Sequence, residues 1–465
     1  MLPPLLIQSL QGIKGFHAAA FEAVHQSGEQ VTSIRLNPAK PLTVDRLSFT
    51  ERPFPLKTQN SKLKTKEIAW CPHGHYLAER PSFTLDPVFH AGAYYVQEAS
   101  SMFLWHMLEQ TIGNNTKGLK VLDLCAAPGG KSTLLASYFK DGLVISNEVI
   151  KARASVLVEN ITKWGSGNVV VTNNDPSHFK ALENFFDVIV VDAPCSGSGL
   201  FRKDAQAIEE WSENNVRLCS QRQERIIADI LPSLKENGIL IYSTCSYSKA
   251  EDEDILDTLI DNQLLKPVPI PLQNEWGIVE TLSDKHVANG YRFYPYLTKG
   301  EGFFIAAFIK TNGGQSGYYS EQKLGGLSKT EQQTINEFIH LGTDFSYFKQ
   351  GDAIKAIETQ WFASLQMLAK HLYIKKAGIE LGTIKGKDVI PHHELALSYL
   401  PLDCFNKMDL DEEQALQYLR RQDFFVESTK GWNLVTHCGL PLGWAKVLPN
   451  RLNNYYPQAW RILKS

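Results

Sequence analysis

The chain has 465 residues, 43% of them hydrophobic and 21% charged, and a formal net charge of −3. These values describe an ordinary globular protein, and the length calls for two to four domains, because single cores stop growing near ~250–300 residues. The charge balance excludes a wholesale nucleic-acid coat, though not a local basic surface.

Leu5 to Val24 read as a helical opening, followed by a strand at Thr32–Asn37 and a loop-rich stretch. The first residues carry no basic n-region and reach Gln8 and Gln11 before any long apolar run, so no signal peptide is expected. No stretch approaches the ~18 apolar residues that span a bilayer. The expectation is a soluble, cytoplasmic monomer. From Arg52 to Lys66 there are five basic residues (Arg52, Lys57, Lys62, Lys64, Lys66) and no acidic one. Such a run is usually a solvated loop, and a nucleic-acid contact is the less common reading.

From Leu119 the pattern becomes β-α-β-α. Strands are expected at 119–124, 143–147, 168–172, 186–191 and 239–242, with helices from near Gly130, over 150–164 and across 221–231. Near-continuous apolar strands alternating with amphipathic helices indicate a doubly wound, Rossmann-like α/β fold with a buried parallel sheet. Arg292–Tyr296 and Gly302–Ile309 form a closing strand pair, and Thr311–Gly317 is a linker by composition. Helices follow at 329–339, 361–372 and 409–421, and then a strand-rich tail. The expected divisions are 1–85, 86–311, 312–370 (linker and helical subdomain) and 371–465.

The seven cysteines are odd in number, widely spaced and free of any C-x-x-C, so neither a disulfide framework nor a metal site is expected. Two of them end hydrophobic strands: Cys195 in Asp192-Ala-Pro-Cys-Ser-Gly-Ser-Gly199 and Cys245 in Ser243-Thr-Cys-Ser246. A strand that stops at a cysteine presents its thiol at the carboxyl edge of the sheet, where open α/β folds hold ligands. A single such cysteine is ordinary packing. Two at parallel strand ends indicate a paired covalent site.

The first strand-to-helix turn reads Asp123-Leu-Cys-Ala-Ala-Pro-Gly-Gly-Lys-Ser-Thr133. Glycines there let a ligand approach the backbone closely. A phosphate-binding loop needs a Gly six residues before the Lys, and here that position is Cys125. The carboxylate of Asp123 suits a cationic ligand such as a sulfonium with an amino group better than a triphosphate. Glu148 and Asp175 close the next two strands, placed to hold ribose hydroxyls and an adenine amino group respectively. Each alone is more often a helix N-cap or a surface residue, and it is three acidic residues at successive strand ends that favour the ligand reading.

Together Asp123–Thr133, Asp192–Gly199 and Ser243–Ser246 closely resemble the S-adenosylmethionine-dependent RNA cytosine-C5 methyltransferases of the Sun/Nop type. Tyr95–Met102 and Arg292–Ile309 match further motifs of that family, with Glu301 where much of the family has Asp. The tail from Gly431 to Pro457 resembles the PUA-like RNA-binding domain of the bacterial ribosomal, RsmF-type subset. The resemblance implies S-adenosylmethionine as cofactor, ribosomal RNA of the small subunit as partner and an N-terminal domain of RNA-binding type. It implies Cys245 as nucleophile and Cys195 in product release. Asp123, Ala126, Ala127, Pro128, Gly129, Gly130, Lys131, Glu148, Arg153, Asp175 and Asp192 would line the cofactor site, Asp192 also facing the base.

Residues 428–465 carry Lys430, Lys446, Arg451, Arg461 and Lys464 and no acidic residue, interleaved with Trp432, Trp444, Tyr455, Tyr456 and Trp460. Basic groups for phosphates with aromatic faces for bases is a common RNA-surface composition. The rings read equally as the core of a small β-domain. Lys446, Arg451, Arg461, Trp444 and Tyr456 are taken as RNA contacts. The alternatives are a tRNA substrate, a P-loop NTPase, an inactive assembly protein and a DNA cytosine methyltransferase, whose nucleophile sits in the Pro-Cys motif.

Overall fold

The computed structural model describes residues 2–41, 65–261, 264–314, 317, 319–424 and 426–463. Most of the basic Arg52–Lys66 run, and Lys464, lie outside the described residues.

The opening is two helices, Pro4–Ser9 and Ala18–Gln26, rather than one. Gly12 and Gly15 lie between them at φ +83° and +81°, a left-handed backbone that breaks a helix and that glycine adopts without strain. The first sheet has the order β2-β3-β1-β4, with β1 Thr32–Leu36, β2 Thr65–Ile68, β3 Cys71–Leu77 and β4 Tyr94–Val96. Because β4 pairs with β1, this domain continues past the expected boundary at residue 85.

The central sheet supplies the platform. Its parallel strands are β5 Lys120–Asp123, β6 Leu143–Asn147, β7 Val169–Thr172, β8 Phe186–Asp192 and β9 Leu234–Thr244, in the order β7-β6-β5-β8-β9. Side chains alternate across it. Val121, Val144, Val188, Val190 and Ile241 meet the helices 103–111, 130–138 and 151–164 on one face. Leu122, Ile145, Ile189, Val191 and Leu240 meet the helices 213–230, 253–261 and 359–371 on the other. Burial on both faces is why these strands read as continuous apolar runs. The short β10 Leu265–Pro267, then β11 Val279–Leu282, β12 Asn289–Phe293 and β13 Phe303–Lys310 add antiparallel strands beyond β9. The order of β5 and its neighbours places β5 and β8 side by side at the centre, where the chain winds outward in both directions. Ligands bind beyond the carboxyl ends of strands at such a switch point.

The stretch 312–370 is more than a linker and helices. It contains the hairpin β14 Phe345–Gln350 and β15 Ala353–Glu358, turning at Gly351 with φ +61°. β15 pairs with β17 Ile379–Lys385, which pairs with β18 Asp388–Pro391, so one sheet straddles the expected break at 370. Between them β16, Ile374–Lys376, pairs antiparallel with β7 and extends the central sheet.

The last sheet is β19 Asn406–Asp409, β20 Gly431–His437, β21 Leu440–Leu448 and β22 Arg451–Asn454. It is not a free tail. Met408, Tyr418, Val435 and Tyr456 share one core with Ile34, Leu77, Val88 and Tyr94 of the N-terminal domain. Among the described residues no helix is long and apolar enough to cross a membrane.

Candidate active site

The ends of β8 and β9 are in register, with Asp192 opposite Ser243. The chain leaves both strands in tight turns that bring Cys195 Sγ within 3.0 Å of Cys245 Sγ. Both thiols are half-buried. The Cys195 thiol is pushed well up by its hydrogen bond with Cys245, by burial, and by the neighbouring charges of Cys245 and then Glu251. The geometry therefore joins two cysteines that are 50 residues apart in sequence.

Asp192 stands beside them, its Oδ1 accepting from Ser243 Oγ at 2.8 Å and its Oδ2 ion-paired with Lys131 Nζ at 2.8 Å. Lys131 is the lysine that makes the loop look like a phosphate loop. Here it is engaged by a carboxylate. The loop after β5 turns through a cis Ala127–Pro128 bond and Gly129 at φ +117° into the helix Gly130–Tyr138. A Cβ on Gly129 would lie 3.2 Å from Leu157 Cδ1 in a left-handed backbone, so the position is built for glycine. Ala126 and Ala127 are buried and Pro128 is exposed.

Asp123 is fully buried beneath this loop. Its Oδ2 accepts from Ser132 Oγ at 2.6 Å, while its Oδ1 has no hydrogen-bond partner among the described residues. Burial raises the carboxyl to about 7, against the Ser132 bond and the charge of Lys131. Glu148 is buried too, accepting from Ile150 N at 2.9 Å and lying 3.6 Å from Arg153 Nη1. Arg153 also donates to the Ala127 carbonyl at 2.7 Å, tying the Glu148 turn to the loop. Asp175 caps the turn Pro176–Ala181 through Ser177 N and Oγ and lies 3.6 Å from Arg225. Those bonds hold its carboxyl below the ordinary range. Asp123, Glu148 and Asp175 thus end three neighbouring strands at one edge, as the spacing implies.

Several residues that sequence reasoning passed over hold this edge together. Arg35, fully buried on β1, donates to Gln97 Oε1 at 2.8 Å, to Thr133 Oγ1 at 2.5 Å and to the Gly130 carbonyl at 3.2 Å. It locks the N-terminal domain onto the helix Gly130–Tyr138. Behind Cys245 lies the acidic run Glu251-Asp-Glu-Asp254, whose first three members are buried. Arg292 pairs with Asp252 at 3.1 Å and with Glu253, and Thr244 donates to Asp252 at 2.6 Å. The available signal was position alone: the acidic run starts six residues after Cys245.

The tail needs correction. Trp444 and Tyr456 are each only 1% exposed, so neither presents a face to RNA. Trp444 packs against Phe405 and donates from Nε1 to the His392 carbonyl at 2.9 Å; Tyr456 packs on His393 and Tyr418. A four-stranded sheet this small must fill its core with its largest rings. Arg451 and Arg461 are exposed, as expected of phosphate contacts, and Lys446 is half-buried, its Nζ 5.2 Å from the Trp432 ring. Glu380, His392 and Glu394 also converge. Lys376 Nζ lies 2.5 Å from Glu394 and Lys355 Nζ 3.5 Å from Glu380, so lysines already balance the carboxylates there.

Three family models match the chain in order. Residues 2–99 match the N-terminal domain of 16S rRNA methyltransferase RsmF, 111–309 the 16S rRNA methyltransferase RsmB/F, and 405–462 the methyltransferase RsmF PUA domain. The ribosomal RNA small subunit methyltransferase F of Psychromonas ingrahamii is 30% identical over 445 residues, covering 90% of each chain. The chain belongs to the RsmF family of methyltransferases. The same-named protein of Shewanella loihica is 28% identical over 450 residues, covering 93% of this chain and 92% of its own. A methyltransferase homologue from Pyrococcus horikoshii of known crystal structure is 27% identical with a TM-score of 0.52, covering 66% of this chain and 100% of that one. NSun6 from the same organism, with SFG, has a TM-score of 0.51 at 19% identity and shares the fold. As a member of the RsmF family the chain is an S-adenosylmethionine-dependent methyltransferase.

The residues present fit that cofactor. Four carboxylates, Asp123, Glu148, Asp175 and Asp192, line one strand edge, and Asp123 Oδ1 is buried without a partner among the described residues. Lys131, Arg153 and Arg225 already face Asp192, Glu148 and Asp175, so it is Asp123, with no cation within ion-pair distance among the described residues, that is left for a ligand carrying a positive charge.

Proposed function

We propose that the protein methylates carbon 5 of a cytosine in small-subunit ribosomal RNA through a covalent adduct between Cys245 and carbon 6 of the base. The 3.0 Å approach of the two thiols beside Asp192 is the observation that carries this reading. Carbon 5 of cytosine is a weak nucleophile, and a thiolate adding to carbon 6 converts the ring to an enamine. When bound, S-adenosylmethionine supplies an electrophilic methyl group.

Cys245 donates an electron pair to carbon 6, forming an S–C bond while the carbon 5–carbon 6 pair becomes available at carbon 5. Asp192, oriented by Ser243 and Lys131, faces the N3 edge and stabilises the ring while it is protonated there. Carbon 5 takes the methyl group. A base then removes the carbon 5 proton, the double bond re-forms and Cys245 leaves as thiolate. Cys195, held as a thiol next to Cys245, is placed to assist that release. The base must be single-stranded or flipped out to reach such a site, and the exposed Arg451 and Arg461 on the C-terminal domain are offered as phosphate contacts.

The test is Cys245→Ala in the full chain, with bisulfite sequencing of ribosomal RNA from cells with and without the gene. The expected result is loss of a 5-methylcytosine in small-subunit RNA, with cofactor affinity within twofold of wild type. Normal turnover by the variant refutes the nucleophile. A lost mark on transfer RNA instead refutes the substrate.

A further inference from the structure

Beyond the paired ends of β8 and β9, two backbone bonds among the described residues join the two cysteine loops: Ala193 N to the Ser243 carbonyl at 2.8 Å and Gly199 N to the Cys245 carbonyl at 2.7 Å. Ser198 Oγ also accepts from Tyr247 N at 2.9 Å, and the charged side chain that spans both loops is Glu251, which is fully buried. Its Oε1 accepts from Ser196 N at 2.7 Å, and its Oε2 accepts from Ser196 Oγ at 2.5 Å and Ser246 Oγ at 2.6 Å. Gln223 Nε2 lies 3.4 Å from Oε1 and donates to the Pro194 carbonyl at 3.0 Å. Ser196 follows Cys195 directly, and Ser246 follows Cys245. One carboxylate therefore grips the residue next to each thiol.

We propose that Glu251 is a positioning residue that locks the Cys195 and Cys245 loops to each other and fixes the separation of the two thiols. The proposal rests on the covalent reading of the site. No cation forms an ion pair with Glu251 among the described residues, and its charge is held by neutral donors alone. A buried carboxylate without a counter-ion is costly unless several hydrogen bonds satisfy it. Here the short bonds come from the two loops and a longer one from Gln223, so the carboxylate is fully satisfied while both loops are in place.

The same charge acts on the thiols. Burial raises the Glu251 carboxyl, opposed by the serine and glutamine bonds, while its charge helps hold the proton on Cys195. Cys245, Tyr242, Cys219 and Asp252 are ionisable neighbours in this cluster, with Asp192 acting on it from the end of β8 and Arg222 from the helix 213–230. Glu251 thus adds its charge to the effects of Cys245 and burial that raise Cys195, while its hydrogen bonds tie the two loops.

Two full-chain variants separate the charge from the clamp. Glu251→Gln keeps the shape and removes the charge, while Ser196→Ala with Ser246→Ala removes two of the gripping hydroxyls and keeps the carboxylate. For both, cofactor affinity by calorimetry should stay within about twofold and kcat should fall by roughly tenfold to hundredfold, since small displacements of reacting groups cost that much. The midpoint of Cys195 alkylation by iodoacetamide against pH, read by peptide mass spectrometry, should lie lower in Glu251→Gln than in wild type. A purely structural role would not move that midpoint. Wild-type kcat in the serine pair, or a folded Glu251→Gln with an unshifted midpoint, overturns the proposal. Trapping wild type on RNA containing 5-fluorocytosine tests the adduct separately: no adduct there refutes the covalent reading, while the alkylation midpoint still decides whether Glu251 acts on Cys195.

Discussion

Replacing Asp123 by asparagine should flatten the pH dependence of stability around neutrality. The carboxyl is fully buried, bonded on one oxygen to Ser132 and unpartnered on the other among the described residues, and burial raises it from 3.8 to about 7. Below about pH 4 the group is protonated in both folded and unfolded chains and costs nothing. As pH rises from there, the unfolded chain ionises while the folded one does not, so the folded state loses stability until pH passes about 7. Roughly three units at 1.36 kcal/mol each gives about 4 kcal/mol in all, of which about 2 kcal/mol falls between pH 5.5 and 7. Asparagine can still accept from Ser132 and does not titrate. The assay is urea unfolding of the cofactor-free chain at pH 5.5, 7 and 8.5, read as the difference between wild type and Asp123→Asn. A second measurement follows from the same titration. A cationic cofactor lowers the carboxyl, so binding at pH 7 should release about half a proton, seen by calorimetry in buffers of different ionisation enthalpy, and the variant should release none. Parallel pH profiles, with equal proton release, would refute the reasoning.

Cys195→Ala should accumulate a covalent protein–RNA species on denaturing gels under conditions in which wild type turns over; its absence refutes the division of labour between the thiols. Glu148→Ala and Asp175→Ala should each weaken S-adenosylmethionine binding by roughly 1–3 kcal/mol if a buried hydrogen bond is lost. Unchanged calorimetric affinity for both means that the carboxylates only cap their turns. Trp444→Ala should destabilise the C-terminal domain by roughly 3–5 kcal/mol in urea unfolding, whereas an RNA-facing ring would leave stability intact. Neutralising Lys446, Arg451 and Arg461 together should weaken RNA binding and reduce the salt slope by roughly 0.7–0.9 per lost phosphate contact; an unchanged slope removes them from the interface. Truncation from residue 371 should lower the melting temperature of the remainder as well as RNA affinity, because it strips β16 from the central sheet and opens the core shared by Ile34, Leu77 and Tyr94.

The central sheet was legible because buried parallel strands must be apolar on both faces, which leaves an unmistakable run at 121–124, 143–147 and 186–191. The cofactor loop and the two cysteine turns were legible for a related reason: glycine, proline and a polar residue at a strand end are local requirements, satisfied within a few positions of the chain. The domain limits were not. β4 and β16 are three residues each, too short for periodicity to reveal, and what defines them is a partner strand far away in sequence. The tail shows the limit in its chemistry, since basic and aromatic residues in alternation suit an RNA face and a small β-core equally. Only packing decided that Trp444 and Tyr456 turn inward while Arg451 and Arg461 turn out. Glu251 and Arg35 mark the same boundary at the site itself. A charged residue reads as solvated until the fold supplies partners from elsewhere in the chain, and it is the tertiary contacts to Ser196, Ser246, Gln97 and Thr133 that make burial of these two charges affordable.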